Sequence, residues 1–200
     1  MKLATFNING IRARLPRLLE WLEREQPEIA CLQELKCADE ALPVADIEAA
    51  GYGAVWHGQK GFNGVAILAR GSTPHLRRVG LPGDPDDTHS RYIEAEVPGS
   101  GAGAGDGLVV ASLYLPNGNP VGTYKFSYKL AWMERLRQHA AELLKEERAM
   151  VLAGDWNVLP EDRDVFSARA AANDALIQPE TRAAWRRILY QGWTEALRAL

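Results

Sequence analysis

Residues 2–34, KLATFNINGIRARLPRLLEWLEREQPEIACLQE, contain a complete β-α-β pattern. Lys2 to Ile8 and Glu28 to Gln33 are apolar-rich runs typical of strands. Between them, Leu15 to Gln26 carries leucines at helical spacing, with Pro16 predicted in the first turn. Connections of this kind join parallel strands of one sheet. The pattern therefore predicts that the carboxyl ends of the two strands share one edge of a sheet.

The middle of the chain is rich in short β-like runs separated by Pro and Gly loops. These runs are Tyr52 to His57, Val65 to Arg70, His75 to Val79, Arg91 to Val97 and Leu108 to Leu115. The segment from Gly99 to Gly107 is predicted to be a flexible hairpin loop and not a linker between domains. It does not fit the glycine fingerprint of a dinucleotide site.

The last part of the chain combines helices with one further strand. Lys125 to Arg148 is predicted as a long helix and Met150 to Ala153 as a buried strand, followed by helical stretches at Val165 to Leu176 and Glu180 to Tyr190. Together with the β-α-β start and the strand-rich middle, these elements predict an α/β fold class. We expect two sheets packed face to face with helices outside, in a single domain of residues 1–200.

Composition excludes several classes of protein. The net charge of −3 and the pI of about 5.9 argue against a binder that uses a global basic field. Cys31 and Cys37 match no zinc-binding spacing. With only two cysteines in the chain, we expect a reduced protein. No apolar run reaches the roughly 20 residues of a membrane helix, and Asn7 interrupts the N-terminal run too early for a signal peptide. These features predict a cytoplasmic protein.

Several predicted strands end at groups that can bind a metal or a phosphate. Asn7, Glu34 and Asp155 stand at three such ends, where ligands gather in α/β proteins. Mg²⁺ prefers oxygen ligands and needs one or two carboxylates. In an extended segment Asp155 and Asn157 face one pocket, where a carboxylate can orient or deprotonate a water. Tyr114 closes another run, and its phenol can contact a phosphate.

A second group of residues can contact a phosphate backbone. Gln59 and Lys60 lie in a polar, Gly-rich loop between His57 and Gly64, and such a loop can follow a nucleic-acid backbone. Arg12 belongs to a local basic cluster close in sequence to Asn7. The acidic chain therefore still carries a local basic region.

Ordinary structural roles remain open for each of these residues. Glu34 can be a solvated carboxylate that starts a loop, and Asn7 a backbone-capping amide. Asp155 can belong to an Asx turn, and Tyr114 can be a half-buried core aromatic with a solvated tip. The loop from His57 to Gly64 can be a plain hairpin connection.

Several motifs occur in an order that closely resembles the exonuclease III family of DNA repair nucleases, and the resemblance spans essentially the whole chain. They are FNINGIRAR (6–14), LQELK (32–36), HGQKG (57–61), RYIEAE (91–96), YLPNG (114–118) and GDWN (154–157).

The resemblance implies a fold and a catalytic site. The fold is the four-layer α/β sandwich of DNase I-like (endonuclease/exonuclease/phosphatase) enzymes. A Mg²⁺ or Mn²⁺ ion would bind Glu34 with help from Asn7. Tyr114 would lie beside the scissile phosphate, Asp155 would orient or activate the attacking water, and Asn157 would help to position the site.

The resemblance also implies a substrate. Arg12, Gln59, Lys60 and Arg91 match family motifs and are expected to contact DNA. The expected partner is double-stranded DNA with abasic sites or 3′ ends, cut by a monomeric enzyme of base excision repair.

One feature of the family pattern is missing after residue 193. Family members continue with further strands, another Asp and an Asp-His pair that contacts the phosphate. We therefore expect the fold to be incomplete at the C-terminus, and the 200-residue chain to have low stability and activity by itself.

Two other functions remain open. One is a phosphodiesterase of the same superfamily that acts on inositol phosphates or sphingomyelin, against which the loop from His57 to Gly64 argues. The other is a non-catalytic DNA-binding module, whose sign would be salt-sensitive binding without cleavage.

Overall fold

The computed structural model describes residues 1–99 and 107–199. The chain forms two compact units. The first consists of Met1–Tyr114 and Arg148–Asp155, and the second of Leu115–Glu147 and the residues from Trp156 onward. Both sheets lie in the first unit.

The first sheet is built on the β-α-β unit at the start of the chain. Its strands are β1 (Leu3–Asn7), β2 (Ile29–Gln33), β3 (Tyr52–His57) and β4 (Val65–Arg70), in the order β1-β2-β4-β3. α1 (Ile11–Glu25) connects β1 to β2, and α2 (Val44–Ala49) precedes β3. β1 and β2 are parallel, so the shared edge predicted for their carboxyl ends is confirmed.

The second sheet contains the remaining strands in chain order. They are β5 (His75–Val79), β6 (Tyr92–Val97), β7 (Leu108–Tyr114) and β8 (Met150–Asp155). β5, β6 and β7 are antiparallel neighbours, whereas β7 and β8 are parallel. Parallel strands need a crossover connection, and this one includes α3 (Tyr124–Leu144). Here too, two strands end at the same edge.

β2 is fully buried because both of its faces are covered. One face packs against the second sheet, in a cluster that includes Ile29, Cys31, Ile67, Ile93 and Val110. The other packs against α1 and α2, in a cluster that includes Ala30, Leu32, Leu18, Leu22 and Ile47. Burial of both faces explains why the strand is almost continuously apolar.

The second unit is helical. α3 packs against α4 (Pro179–Leu189), and a short helix, α5 (Ala196–Ala199), follows. The buried side chains of α3 include Trp132, Met133, Leu136 and Ala140. Those of α4 include Trp185, whose ring lies edge-on to that of Trp156 with centroids 4.6 Å apart.

Two predictions about helices are wrong. The helix predicted from Leu15 begins at Ile11, whose side chain is fully buried in the core, and Pro16 therefore lies inside the helix. The segment Val165 to Leu176 forms turns instead of a helix. Its end is held by side-chain acceptors, since the Ala175 amide donates to Asn119 Oδ1 at 2.8 Å.

The loop predicted between Gly99 and Gly107 lies outside the described residues except for its two ends. Within the described ranges, no helix has the length and apolar character needed to cross a membrane.

Candidate active site

Four strand ends place polar side chains together in the first unit. β1 ends at Asn7, β7 at Tyr114 and β8 at Asp155, and Glu34 directly follows β2. Asn7 is in register with Gln33, the residue before Glu34, and Tyr114 is in register with Asp155. The two parallel pairs therefore each deliver two of these groups to one edge.

The side chain of Asn7 bridges the two carboxylates of this cluster. Its Nδ2 donates to Glu34 Oε1 at 2.7 Å and to Asp155 Oδ2 at 3.0 Å. The Tyr114 hydroxyl donates to the same Glu34 oxygen at 2.8 Å. The other Glu34 oxygen lies 2.7 Å from Lys36 Nζ. Glu34 is thus the common acceptor of three donors.

The backbone around Glu34 is held in an uncommon conformation. Glu34 and Lys36 have φ values of 56° and 54°, in the left-handed region that non-glycine residues seldom occupy. The turn is fixed from both sides, because Gly10 N donates to Glu34 O and Lys36 N donates to Asn63 O. Such strain persists only where surrounding contacts enforce it, and it is frequent at functional sites.

The electrostatics of the cluster keep Glu34 charged. Burial opposes its ionisation, but hydrogen bonds from Lys36, Asn7 and Tyr114 outweigh burial, and the pKa of Glu34 is lowered. Its side chain retains 18% exposure. The carboxylate is therefore ionised near neutral pH and accessible from solvent.

Tyr114 is held as a neutral phenol. Burial, the hydrogen bond to Glu34 and the Glu34 charge raise the pKa of Tyr114 well above its ordinary value, although Arg91 opposes them. Arg91 makes two contacts with Tyr114. Its guanidinium lies 4.8 Å from the ring centroid, and its Nη1 donates to Tyr114 O at 3.2 Å. The hydroxyl is consequently a fixed donor.

The donor set fits a hard divalent cation. Two carboxylates, Glu34 and Asp155, share one amide between them, and Mg²⁺ takes one or two carboxylates with its remaining positions left to water and phosphate. No group of three or more His, Cys, Asp or Glu side chains in the described residues is arranged to hold a metal. The oxygen atoms of Glu34 and Asp155 are the groups here that would hold a divalent ion.

Asn157 lies in the second unit, where other loop residues engage it. Its Nδ2 donates to Leu115 O at 2.8 Å, and its Oδ1 lies 3.4 Å from Asn117 Nδ2. The extended conformation predicted for residues 155–157 is wrong at Asn157, whose φ is 44°. β8 stops at Asp155, so the alternation of side chains along a strand does not continue to Asn157.

The residues predicted to contact DNA have different local settings. Arg12 is exposed on the first turn of α1, and Lys60 is exposed in its loop. Gln59 is engaged internally, because its Oε1 accepts from Asn63 Nδ2 at 2.8 Å and from Ser90 N at 3.0 Å. Arg91 lies against Tyr114.

Lys36 is a site residue for which the motifs predict no role. Its Nζ contacts Asn9 Oδ1 as well as Glu34. The signal in the sequence was its position two residues after Glu34, although on a helix that spacing does not bring two side chains together. The left-handed conformation of the turn makes the contact possible.

Comparisons with known proteins agree with this fold. The family model described as the Endonuclease/Exonuclease/phosphatase family matches residues 4–199. An exodeoxyribonuclease III from Haemophilus influenzae is 34% identical, over 100% of this chain and 76% of the relative. The DNA repair nuclease APEX1 of Danio rerio is 31% identical, over 100% of this chain and 63% of the relative.

Solved structures give the same result. An AP endonuclease from Archaeoglobus fulgidus is 35% identical with a TM-score of 0.91, over 100% of this chain and 74% of that one. A 3′-5′ exonuclease from Neisseria meningitidis is 33% identical with a TM-score of 0.92, over 100% of this chain and 75% of that one. These matches confirm the predicted DNase I-like α/β fold class.

The chain belongs to the Endonuclease/Exonuclease/phosphatase family of hydrolytic enzymes. Within that family it is of the exodeoxyribonuclease III type, as its motifs predicted. The family is in general dependent on divalent metal ions.

Proposed function

We propose that this chain is a DNA repair nuclease that hydrolyses phosphodiesters with Mg²⁺ or Mn²⁺. The observation that carries the proposal is the shared hydrogen-bond network of Asn7, Glu34, Tyr114 and Asp155 at the strand ends. The names of its relatives, exodeoxyribonuclease III, DNA repair nuclease and AP endonuclease, support the same chemistry.

Each residue of the network has a role in this proposal. Glu34 and Asn7 hold the metal, which when bound neutralises charge that develops on the phosphate oxygens. Asp155 orients the attacking water or accepts its proton. Tyr114 keeps its phenolic hydrogen, and this hydrogen, donated to Glu34 in the free protein, would turn to the phosphate when the substrate binds. Asn157, which is outside the network, would help to position the site.

The proposed substrate is double-stranded DNA with an abasic site or a 3′ end, bound by a monomer in the cytoplasm. Arg12, Lys60 and Arg91 would neutralise backbone phosphates, with Gln59 shaping the loop that carries Lys60. A Neisseria 3′ phosphatase, 32% identical to this chain, was solved bound to a product DNA hairpin, which supports DNA as the ligand.

A comparative assay tests the proposal. The purified chain is incubated with a duplex that carries one abasic site, a duplex with recessed 3′ ends, inositol phosphates and sphingomyelin, each with Mg²⁺ and with EDTA. We expect metal-dependent cleavage of one or both DNA duplexes, and no turnover of inositol phosphates or sphingomyelin. Turnover confined to inositol phosphates or sphingomyelin would exclude the proposal, and salt-sensitive DNA binding without cleavage would favour a binding module instead.

Replacing Tyr114 by phenylalanine is expected to lower kcat on the abasic duplex by roughly 10²-fold, because one fixed donor to the developing charge is lost. KM should change little, since the ring and its contact with Arg91 remain. Steady-state kinetics measures both constants. Tyr190→Phe, at an 81% exposed position, is the matched control. An unchanged kcat for Tyr114→Phe would remove the hydroxyl from the mechanism.

A further inference from the structure

The second unit contains a lysine whose side chain is completely buried. Lys129 lies on α3 and has 0% exposure. Its Nζ donates to the carbonyl oxygens of Pro116 at 3.1 Å, Asn117 at 3.2 Å and Asn157 at 2.5 Å. Burying an ammonium is costly unless its donors are satisfied, so this contact is a specific feature of the fold.

The three carbonyls belong to two loops that follow important strand ends in the chain. Pro116 and Asn117 come just after Tyr114, and Asn157 comes just after Asp155. The loops are also joined by the side chain of Asn157, whose Nδ2 donates to Leu115 O at 2.8 Å. Lys129 therefore holds together the two loops that continue from β7 and β8.

The conformation that Lys129 stabilises is an uncommon one. Asn157 has a φ of 44°, in the left-handed region that few residues with a side chain occupy, although Asn does so more readily than most. The carbonyl of this strained residue makes the shortest of the three contacts with Lys129. The ammonium thus holds the backbone carbonyl of this residue, while Leu115 O accepts a hydrogen bond from its carboxamide.

The surroundings of the lysine are closely packed. A Cβ at Gly118, whose φ is +89°, would lie 2.6 Å from Lys129 Cδ. A compact ammonium with three donors suits three converging carbonyls, whereas a planar guanidinium is larger and forked. Loss of the ammonium would leave the carbonyls without their charged donor.

We infer that Lys129 is a positioning residue, which fixes the loops at residues 115–119 and 156–157 and thereby orients Asn157 for the reaction. The part of this inference that concerns catalysis rests on the proposed function. The part that concerns the loops does not, and it has its own measurement.

The first test replaces Lys129 by methionine and follows amide hydrogen exchange. Exchange in residues 115–119 and 156–158 is expected to rise about tenfold, with α4 unchanged, because loop opening becomes easier without the ammonium. Lys145→Met, at the exposed position directly after the same helix, is the control. If the folded Lys129→Met protein exchanges its amide hydrogens in both loops at the wild-type rate, the inference is overturned.

A second pair of variants tests the same contact from the loop side. Gly118→Ala forces the Lys129 side chain to move, whereas Gly122→Ala, at a φ of +81° with no atom within 4 Å, introduces backbone strain alone. Gly118→Ala should reproduce the faster loop exchange, and Gly122→Ala should not. Equal effects of the two would contradict the inference, and this comparison remains decisive if Lys129→Met does not fold.

The catalytic part is tested by a double-mutant cycle with Asn157→Ala. Lys129→Met should lower kcat on the abasic duplex about tenfold in the wild-type background, with KM nearly unchanged, and by less than about twofold when Asn157 is already alanine. A merely structural lysine would lower kcat equally in both backgrounds, which would overturn the positioning role. A wild-type chain that cleaves no DNA would overturn the proposed function instead, and hydrogen exchange would then decide the inference.

Discussion

Replacing Glu34 by alanine is expected to lower metal-dependent cleavage of an abasic duplex by roughly 10³-fold, since a metal that stabilises transition-state charge contributes several kcal/mol. The structure provides the reason, because Glu34 accepts hydrogen bonds from both Asn7 and Tyr114 and its pKa is lowered. Loss of this carboxylate removes the shared acceptor of the network together with a metal ligand. Single-turnover kinetics at saturating Mg²⁺ measures the effect.

A second measurement separates metal binding from activity. Mg²⁺ that binds only the folded protein raises the melting temperature, and the size of the shift follows from the affinity. The wild-type chain should therefore melt at a higher temperature with Mg²⁺ than with EDTA, and Glu34→Ala should show no such difference. Glu23→Ala, on the exposed face of α1, is the matched control. An unchanged metal-induced shift in Glu34→Ala would refute Glu34 as a ligand.

Replacing Asp155 by asparagine is expected to lower kcat on the order of 10³-fold, because general-base or water-orienting groups contribute up to about this much. In the wild-type chain, Asn7 Nδ2 lies 3.0 Å from Asp155 Oδ2. The carboxamide of the variant keeps one oxygen that can accept this hydrogen bond, so the local geometry is retained. The negative charge and the basicity are lost, and one acceptor oxygen becomes an NH2 donor. The melting temperature without metal should therefore stay close to that of the wild type.

The control for this substitution is Asp46→Asn, an exposed carboxylate in α2. A pre-steady-state time course distinguishes slower chemistry from slower product release. If Asp155→Asn retains more than about a tenth of the wild-type rate of the chemical step, its carboxylate does not act on the attacking water.

Much of the fold and part of the site follow from local patterns. β3, β4 and β5 have the predicted boundaries, because each is a short run bounded by Gly or Pro loops, although β5 is mostly polar and exposed. Asn7, Glu34 and Asp155 were predicted at strand ends for the same reason. The predicted helix at Val165 to Leu176 failed, because its backbone is held by acceptors such as Asn119, which is distant in sequence.

What the sequence determines by itself is which groups stand at the strand ends and which family the chain belongs to. Periodicity and turn residues define strand ends locally, and a β-α-β connection makes its strands parallel. The contact of Asn7 with Asp155, 148 residues apart, was decided by tertiary structure alone, as was the burial of Lys129. A lysine on an amphipathic helix normally faces solvent, and only the carbonyls that converge on Lys129 in the folded chain compensate its charge.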